Sequence, residues 1–230
     1  MKDNILVVVP CYNAIKYIEE AVATIKEQTA SGWKCVIVDD GSTDGSSELI
    51  DRLIRRDRRF KAYHTENRGV AAARNLGIAS EDYRYVLPFD ADDRLMPQAL
   101  ERFMDYWKEN PDASLLIPQI HKFGEIREHV QKRSWYGYRD LRVRCSPTNS
   151  SCFKKEDWER VGGYRHGTMY EDWEFWLRLL YKNDNVVNIP EVLVEYRSHP
   201  DSRWHDAVKR HNEEYEIIRK MNPLIFKDNA

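Results

Sequence analysis

The stretch Tyr85-Val86-Leu87-Pro88-Phe89-Asp90-Ala91-Asp92-Asp93 joins an apolar run to three carboxylates. The apolar run is typical of a β-strand, so the carboxylates follow directly where that strand ends. Such a cluster of like charge is unfavourable unless the side chains face water or a cation lies among them. Asp90 and Asp92 are two residues apart and can point the same way from an extended backbone. Their oxygens suit Mg²⁺ or Mn²⁺, and the alternative is an acidic turn ahead of a helix that starts near Pro97.

Apolar runs and helix-type repeats alternate on both sides of this stretch. Residues 5–9 form a continuous apolar run, which is typical of a strand buried on both faces. Further strands are predicted at residues 35–38, 60–64 and 113–117, with amphipathic helices between them. An alanine-rich segment from Val70 favours a helix with a close-packed face. Four strand–helix alternations in about 110 residues predict right-handed βαβ units, and hence an α/β fold with a parallel sheet.

Three polar loops follow predicted strands, at residues 10–13, 39–44 and 90–93. The second of these loops is rich in residues that form turns and cap helices. In a parallel sheet the carboxyl ends of the strands lie on one edge, and ligands bind there. We therefore expect the three loops to lie together and to form a functional site.

The alternation stops after about residue 118, and shorter elements follow. Residues 124–144 are rich in Arg, Lys, Trp and Tyr without a clear period, which predicts an irregular segment or a small antiparallel addition. The remaining predictions are strands at 151–153 and 192–196, a helix at 156–161, an amphipathic helix at 171–181 and a helical tail at 204–221. No internal repeat or linker divides the chain, so we expect residues 1–230 to form a single domain.

The composition excludes several classes of protein. The 230 residues include 36 Lys and Arg against 38 Asp and Glu, so no basic excess indicates nucleic-acid binding. The mean hydropathy is −0.71, and no apolar run approaches the ~20 residues of a membrane span. None of the four cysteines has paired metal spacing, and Cys11 and Cys35 lie in or beside apolar runs, which predicts buried free thiols and a cytoplasmic setting. The five arginines between residues 52 and 59 are interpreted as a solvated helix face, and attraction to anionic membrane lipid is the alternative.

Several motifs resemble family 2 glycosyltransferases, in the same order along the chain. They are Val8-Val9-Pro10-Cys11-Tyr12-Asn13, Val36-Ile37-Val38-Asp39-Asp40-Gly41-Ser42-Thr43-Asp44, Asn67-Arg68-Gly69-Val70-Ala71-Ala72-Ala73-Arg74-Asn75, Phe89-Asp90-Ala91-Asp92-Asp93, which resembles the D-x-D element, and Val161-Gly162-Gly163-Tyr164 followed by Glu171-Asp172. The resemblance spans about residues 5–203. It implies a GT-A fold (that of nucleotide-diphospho-sugar transferases), with a mostly parallel central sheet flanked by helices and a smaller acceptor-side region. It also implies a nucleotide-sugar donor, a divalent metal and inversion at the anomeric carbon.

The resemblance divides the chain into a nucleotide-sugar-binding half (about 1–117), an acceptor-side half (about 118–203) and a C-terminal helix or tail (204–230). The donor-binding residues that it implies are Pro10, Tyr12, Asn13, Asp39, Asp40, Arg74, Asp90, Ala91 and Arg203. Asp40 would accept a hydrogen bond from the uracil N3–H, which favours a UDP-sugar. An acidic turn that stabilises the next helix is the alternative for Asp39 and Asp40.

Three other donor-side residues, Tyr12, Arg74 and Asp90, each have two possible roles, and Arg203 has one. Tyr12 would pack on the base, or belong to the core. Arg74 would contact a phosphate, or form a surface ion pair. Asp90 would face the ribose hydroxyls or a metal-bound water, and Arg203 would contact the diphosphate.

The resemblance assigns the divalent cation, Mn²⁺ or Mg²⁺, to Asp92 and Asp93. His199 is a candidate third ligand, with a structural histidine as the alternative. A bound cation would neutralise the charge on the leaving nucleoside diphosphate. The sequence thus predicts a metal-dependent enzyme.

On the acceptor side, the resemblance makes Asp172 the general base and gives Glu171 to acceptor binding or helix capping. The alternative is that both acids only stabilise the first turn of the helix through its dipole. Trp135 and Tyr136 could stack on an acceptor sugar. The acceptor would be a glycan or a lipid-linked glycan in bacterial cell-surface polysaccharide assembly, with peripheral association at the inner face of the cell membrane.

Two other functions remain open at this point. A non-catalytic nucleotide-sugar-binding module would have the same fold, although retention of both acidic motifs argues against it. A sugar nucleotidyltransferase would need a glycine-rich phosphate loop after the first strand, and residues 10–13 lack one. The absence of G-x-G-x-x-G likewise argues against a dinucleotide oxidoreductase.

Overall fold

Eight strands form one sheet in the part of the chain that the computed structural model describes, residues 2–125, 137–145, 147–200 and 202–227. The strands are β1 (Lys2–Cys11), β2 (Lys34–Asp39), β3 (Phe60–His64), β4 (Tyr83–Pro88), β5 (Arg94–Leu95), β6 (Leu115–Gly124), β7 (Cys152–Lys154) and β8 (Val186–Ser198). The helices are α1 (Ile18–Lys26), α2 (Ser46–Ile54), α3 (Val70–Ala79), α4 (Ala99–Glu109), α5 (Tyr138–Leu141), α6 (Lys155–Val161), α7 (Glu171–Leu179), α8 (Arg203–Lys209), α9 (His211–Met221) and α10 (Pro223–Lys227).

The strand order is β3-β2-β1-β4-β7-β6-β8-β5. The first four strands are parallel to their neighbours, as the alternation of strands and helices predicted. β7 then runs antiparallel to both β4 and β6, β6 pairs in parallel with β8, and β5 is antiparallel to β8. The prediction of an α/β fold with a mostly parallel sheet is confirmed, with β7 and β5 as its antiparallel members.

The central strand β1 is buried on both faces, as its unbroken apolar run predicted. Its odd-numbered residues, such as Val7, belong to the same core cluster as Ile18 of α1 and Phe103 of α4. Its even-numbered residues, such as Val8, belong to the cluster on the other face, which includes helices α3 and α7. A Cβ on Gly77 of α3 would lie 2.5 Å from Val8 Cγ1, so glycine permits the close packing of this helix on the sheet.

Two strands are longer than predicted. The expected strand at 113–117 extends as β6 to Gly124, and the expected strand at 192–196 begins as β8 at Val186. Their parallel pairing runs from Leu115 opposite Val186 to Gly124 opposite Ser198, with two register shifts. The sequence did not predict the full length of this pairing, because polar side chains interrupt the apolar pattern in its second half. Backbone hydrogen bonds hold the two strands together there.

The predicted amphipathic helix at 171–181 is present as α7, which ends at Leu179, and its polar side is largely buried as well. Its charged residues Glu174 and Arg178 are both buried and pair at 2.6 Å. Arg178 also donates to the carbonyl oxygens of Val161 and Gly163, each at 2.7 Å. Glu174 and Arg178 lie one turn apart and neutralise each other, and the carbonyl groups accept further guanidinium hydrogens. The polar side of the helix can therefore be buried as well.

The remaining expectations about the core agree with the structure. Cys11, Cys35 and Cys152 are buried free thiols, while Cys145 is half-buried. Burial raises the pKa of each of the three buried thiols. None of the helices in the described ranges is both long and apolar enough to span a bilayer.

Candidate active site

The three polar loops meet at the carboxyl edge of the parallel strands, as the sequence predicted. The amide of Asp40 donates to the carbonyl oxygen of Cys11 at 2.8 Å, and the amide of Phe89 donates to that of Val8 at 2.9 Å. The amide of Thr65 donates to the carbonyl oxygen of Asp39 at 2.9 Å. These bonds continue the strand pairing past the strand ends and hold the loops beside one another.

The loop after β1 is joined to the loop after β2 by Asn13, which has a positive φ of 51°. Its amide donates to Ser42 Oγ at 2.9 Å, and its Oδ1 accepts from the amide of Thr43 at 2.8 Å. Tyr12 is 53% exposed, so the alternative that it belongs to the core is wrong. Pro10 is buried within β1, where it pairs with Val38. This corner therefore presents one exposed aromatic ring on a rigid backbone.

Asp39 is buried and accepts hydrogen bonds from three groups. These are the amide of Ser42 at 3.1 Å, the hydroxyl of Ser47 and Nδ1 of His64 at 3.1 Å. Burial disfavours the charged carboxylate, but these hydrogen bonds outweigh it and lower the pKa of Asp39. His64 Nε2 lies 3.1 Å from Asp51 Oδ1, so the ring stands between two carboxylates that raise its pKa.

Asp40 is also buried, and it orders the loop that leads into α3. Its two carboxylate oxygens accept from the amides of Arg68 and Gly69, each at 2.8 Å. Gly69 has φ +86° and ψ 158°, a conformation that favours glycine and presents its amide to the carboxylate. A carboxylate oxygen has two lone pairs, so Asp40 retains the capacity to accept from a base as well. The contact with uracil stays a prediction.

Asp90, Asp92 and Asp93 form a cluster in which the ligand oxygens all lie within 4.8 Å of one another. Burial is the main cause that raises the pKa of Asp93 well above its ordinary value, and the charges of Asp92 and Asp90 add to it. Burial also raises the pKa of Asp90, although Arg74 opposes this. Convergent carboxylates whose charged forms are disfavoured fit a divalent cation, which supplies the missing positive charge.

The end of β8 lies against this cluster. His199 Nε2 is 2.8 Å from Asp92 Oδ2, while its buried Nδ1 has no hydrogen-bond partner among the described residues. The amide of Arg197 donates to Asp93 Oδ1 at 2.8 Å, and its Nε donates to the carbonyl oxygen of Asp92 at 2.7 Å. His199 is therefore in position to share a cation with Asp92. Arg197 stands two residues before His199 in the same basic segment, but no role was predicted for it.

Arg74 is buried and joins the acid cluster to α7. It donates to Glu171 Oε1 at 2.7 Å and to Asp90 Oδ1 at 3.0 Å. The alternative of a surface ion pair is therefore wrong, because only 4% of its side chain is exposed. Its contact with a phosphate stays a prediction. Asn149 donates to the same oxygen of Asp90 at 2.9 Å, and no pattern in the sequence indicated this residue.

Asp172 stands in the first turn of α7, beside Glu171. Burial, followed by the charge of Glu171, raises the pKa of Asp172 to about 6, although Arg74 opposes the shift. Its Oδ1 accepts from the amide of Trp173 at 2.8 Å. The two adjacent acids thus have different surroundings: Glu171 pairs with Arg74, while the charged form of Asp172 is disfavoured.

The other predicted site residues divide into two groups. Ala91 is buried in the turn between Asp90 and Asp92. Arg203 begins α8, but its side chain lies outside the described residues. Trp135 and Tyr136 also lie outside them, so their predicted roles stay predictions.

The sheet order and the acid cluster at its edge define a GT-A type fold. S. aureus TarS, solved in complex with UDP-GlcNAc, superimposes with a TM-score of 0.82 over 100% of this chain and 68% of that chain, at 17% identity. The mannosyltransferase PcManGT from Pyrobaculum calidifontis, solved with GDP-Man and Mn²⁺, gives a TM-score of 0.71 over 94% of this chain and 63% of that chain, at 20% identity. These likenesses establish the fold.

The family follows from the sequence comparisons. The model of glycosyl transferase family 2 matches residues 6–171, and the chain belongs to this family. TuaG of Bacillus subtilis strain 168, a glycosyltransferase with an inferred role in teichuronic acid biosynthesis, is 36% identical over 225 residues, which cover 90% of this chain and 86% of TuaG. Against several other glycosyltransferases, from Streptococcus pneumoniae and Rickettsia species, the chain spans only 18–42% of their length.

Proposed function

We propose that the chain is an inverting glycosyltransferase that moves a sugar from a UDP-sugar to an acceptor hydroxyl. The observation that carries this proposal is the row of neighbouring charged residues from Asp92 and Asp90, through Arg74 and its partner Glu171, to Asp172. It joins a cluster suited to a cation with a carboxylate of raised pKa. Membership of glycosyl transferase family 2 supports the same reaction.

The donor would bind along the carboxyl edge of the sheet. Tyr12 would pack on the base, while Asp40 would accept the N3–H of uracil. A divalent cation held by Asp92, Asp93 and His199 would neutralise the charge on the leaving nucleoside diphosphate. Asp90 is already bound to Arg74 and Asn149 and would hold the ribose or a water, not the cation directly.

Asp172 would act as the general base. As the acceptor oxygen forms its bond to the anomeric carbon, its proton passes to the carboxylate of Asp172. The bond from that carbon to the diphosphate oxygen breaks with its electron pair on the opposite side, which inverts the configuration. A pKa of about 6 makes Asp172 a stronger base than an ordinary aspartate while keeping it ionised at neutral pH.

The nucleotide, the acceptor and the cellular location are part of the same proposal. Solved proteins with this fold contain UDP-GlcNAc in one case and GDP-Man in another, so the proposed preference for uridine rests on the predicted role of Asp40. The likeness to TuaG supports a setting in bacterial polysaccharide assembly, with a glycan or lipid-linked glycan as acceptor. The reaction would take place at the cytoplasmic face of the cell membrane.

A binding and turnover screen tests the proposal. UDP-, GDP- and CDP-sugars are incubated with the protein, with and without Mn²⁺, while thermal shift and donor hydrolysis are recorded. We expect the largest shift with a UDP-sugar and Mn²⁺, and hydrolysis that disappears with chelator or in Asp92→Ala. Full turnover in excess chelator would contradict metal dependence. Binding without turnover of any donor would instead indicate a non-catalytic module, and equal affinity for the three bases would contradict the role of Asp40.

A further inference from the structure

We propose that Arg197 is a positioning residue that sets the geometry of Asp92 and Asp93, and that Glu20 of α1 holds Arg197 in place. The inference rests on the proposed function only in taking these two aspartates as cation ligands. It assigns a task to two residues that are 177 positions apart in the chain.

The contacts of Arg197 reach both aspartates by different routes. Its backbone amide donates to the carboxylate of Asp93 at 2.8 Å, and its Nε donates to the backbone carbonyl of Asp92 at 2.7 Å. Arg197 therefore holds both the side chain of Asp93 and the main chain of Asp92. The relative position of the two carboxylates depends on where Arg197 lies.

The guanidinium is itself held on several sides. One terminal nitrogen pairs with Glu20, and the guanidinium lies 4.3 Å from the ring centre of Phe123 and 5.1 Å from that of Tyr17. Tyr17 also packs against the ring of His199 at 4.9 Å. Tyr17 and Glu20, at the start of α1, thus hold Arg197 at the end of β8 and His199 just after it. The planar, forked guanidinium suits this task, since it donates in several fixed directions at once.

Charge alone does not explain this arrangement. A lone cation beside the aspartates would repel a divalent metal, which opposes the function of the cluster. Glu20 and Glu195 together offset the charges of Arg197 and of Arg94, which shares Glu20, so the group adds orientation without a net formal charge. The site therefore requires the forked geometry of the guanidinium group rather than its charge.

Arg94 is a matched control for this inference. It pairs with the same Glu20, at 2.5 Å, and its guanidinium lies 4.2 Å from the ring centre of the same Phe123. Its other ion pair is with Glu195 at 3.5 Å, and no described hydrogen bond joins its side chain to Asp92 or Asp93. The two arginines thus differ in whether they hold the aspartates.

The test measures Mn²⁺ binding directly, by electron paramagnetic resonance of the free ion in the presence of UDP. Arg197→Lys keeps the charge but loses the fork, so we expect Mn²⁺ to bind about tenfold more weakly, the effect of losing one charged hydrogen bond. Glu20→Gln should weaken binding in the same direction, while Arg94→Lys should stay within about twofold of the unaltered protein. Thermal melting checks that each variant is folded.

The outcomes separate this inference from the proposed function. Equal Mn²⁺ affinity in Arg197→Lys and the unaltered protein would overturn the positioning role. Tighter binding in a folded Arg197→Met would show that the charge alone matters, and would overturn it as well. If the unaltered protein binds no Mn²⁺ at all, the metal site of the proposed function fails first.

Discussion

At the scale of single residues, the two neighbouring acids of α7 illustrate how surroundings divide chemical roles. Glu171 is paired with the buried guanidinium of Arg74 at 2.7 Å. Asp172 is the residue whose pKa is raised to about 6, first by burial and then by the charge of Glu171. In the sequence they are adjacent acids that share one alternative, stabilisation of the helix through its dipole. In the structure, the position of Arg74 distinguishes their surroundings.

The raised pKa of Asp172 predicts opposite effects of pH on activity and on stability. The base acts when ionised, so kcat/KM should fall as the pH falls through about 6. Because the folded-state pKa lies above the unfolded value, ionisation opposes folding, and this cost is fully present only above pH 6. Asp172→Asn should therefore reduce transfer by about 10²–10⁴-fold and raise the free energy of unfolding at pH 8 by up to about 3 kcal/mol.

Transfer kinetics and urea denaturation at pH 5 and pH 8 check this prediction, and Glu171→Gln provides the comparison. That variant removes the charge opposite Arg74, so it should lose stability where Asp172→Asn gains it. Near-normal transfer in Asp172→Asn together with lost transfer in Glu171→Gln would assign the base to the other carboxylate.

At the scale of elements, helix α9 in the C-terminal tail holds the loop that precedes α7. Glu214 of α9 is buried, and its Oε2 accepts from the hydroxyl of Thr168 at 2.9 Å and the amide of Met169 at 2.7 Å. This loop ends at Tyr170, the N-cap residue of α7. The tail is therefore a support for the helix that presents Asp172, and not only a terminal extension.

Replacing Glu214 by alanine should affect transfer more than donor binding. The variant leaves the amide of Met169 without its acceptor, which costs about 1–3 kcal/mol, and it loosens the start of α7. Calorimetry should give an unchanged Kd for UDP, because the described hydrogen bonds of Glu214 go to Thr168 and Met169 and not to the donor loops, while kcat falls. Glu213→Ala on the same helix is the control, since Glu213 is exposed and pairs only at the surface. An equal loss of UDP affinity would contradict the separation of the two tasks.

At the scale of the whole molecule, Arg74 joins the donor side of the sheet to the acceptor side. Its partners Asp90 and Glu171 come from residues 16 and 97 positions away. A buried cation between two carboxylates leaves uncompensated charge when it is removed. The two halves of the proposed site thus depend on one side chain for their electrostatic balance.

Arg74→Met should lower the free energy of unfolding by about 3–5 kcal/mol at neutral pH. Adding Glu171→Gln to the same chain should recover part of this loss, because it removes one of the two stranded carboxylates. Urea denaturation of the two single variants and the double variant measures the coupling. Strictly additive losses would show that Arg74 and Glu171 are not energetically paired, despite their 2.7 Å contact.

The sequence by itself determined the parallel strands and the loops that form the site. Residues 5–9 and the other apolar runs predicted parallel strands, and the loops after them meet on one edge as expected. These features are local: hydrophobic period, turn formers and the order of strands and helices are all written within a few residues of one another. The Asp90–Asp93 cluster was visible for the same reason, since its members are adjacent in the chain.

The tertiary structure alone decided which charges meet. Arg74 pairs with Glu171 across 97 residues and Arg197 with Glu20 across 177, and the sequence contains no signal for either pair. Pairing of this kind depends on how helices pack across the sheet, while propensity and period report only on neighbours along the chain. The same physics made α7 a buried helix, because Glu174 and Arg178 satisfy each other once the rest of the fold has covered them.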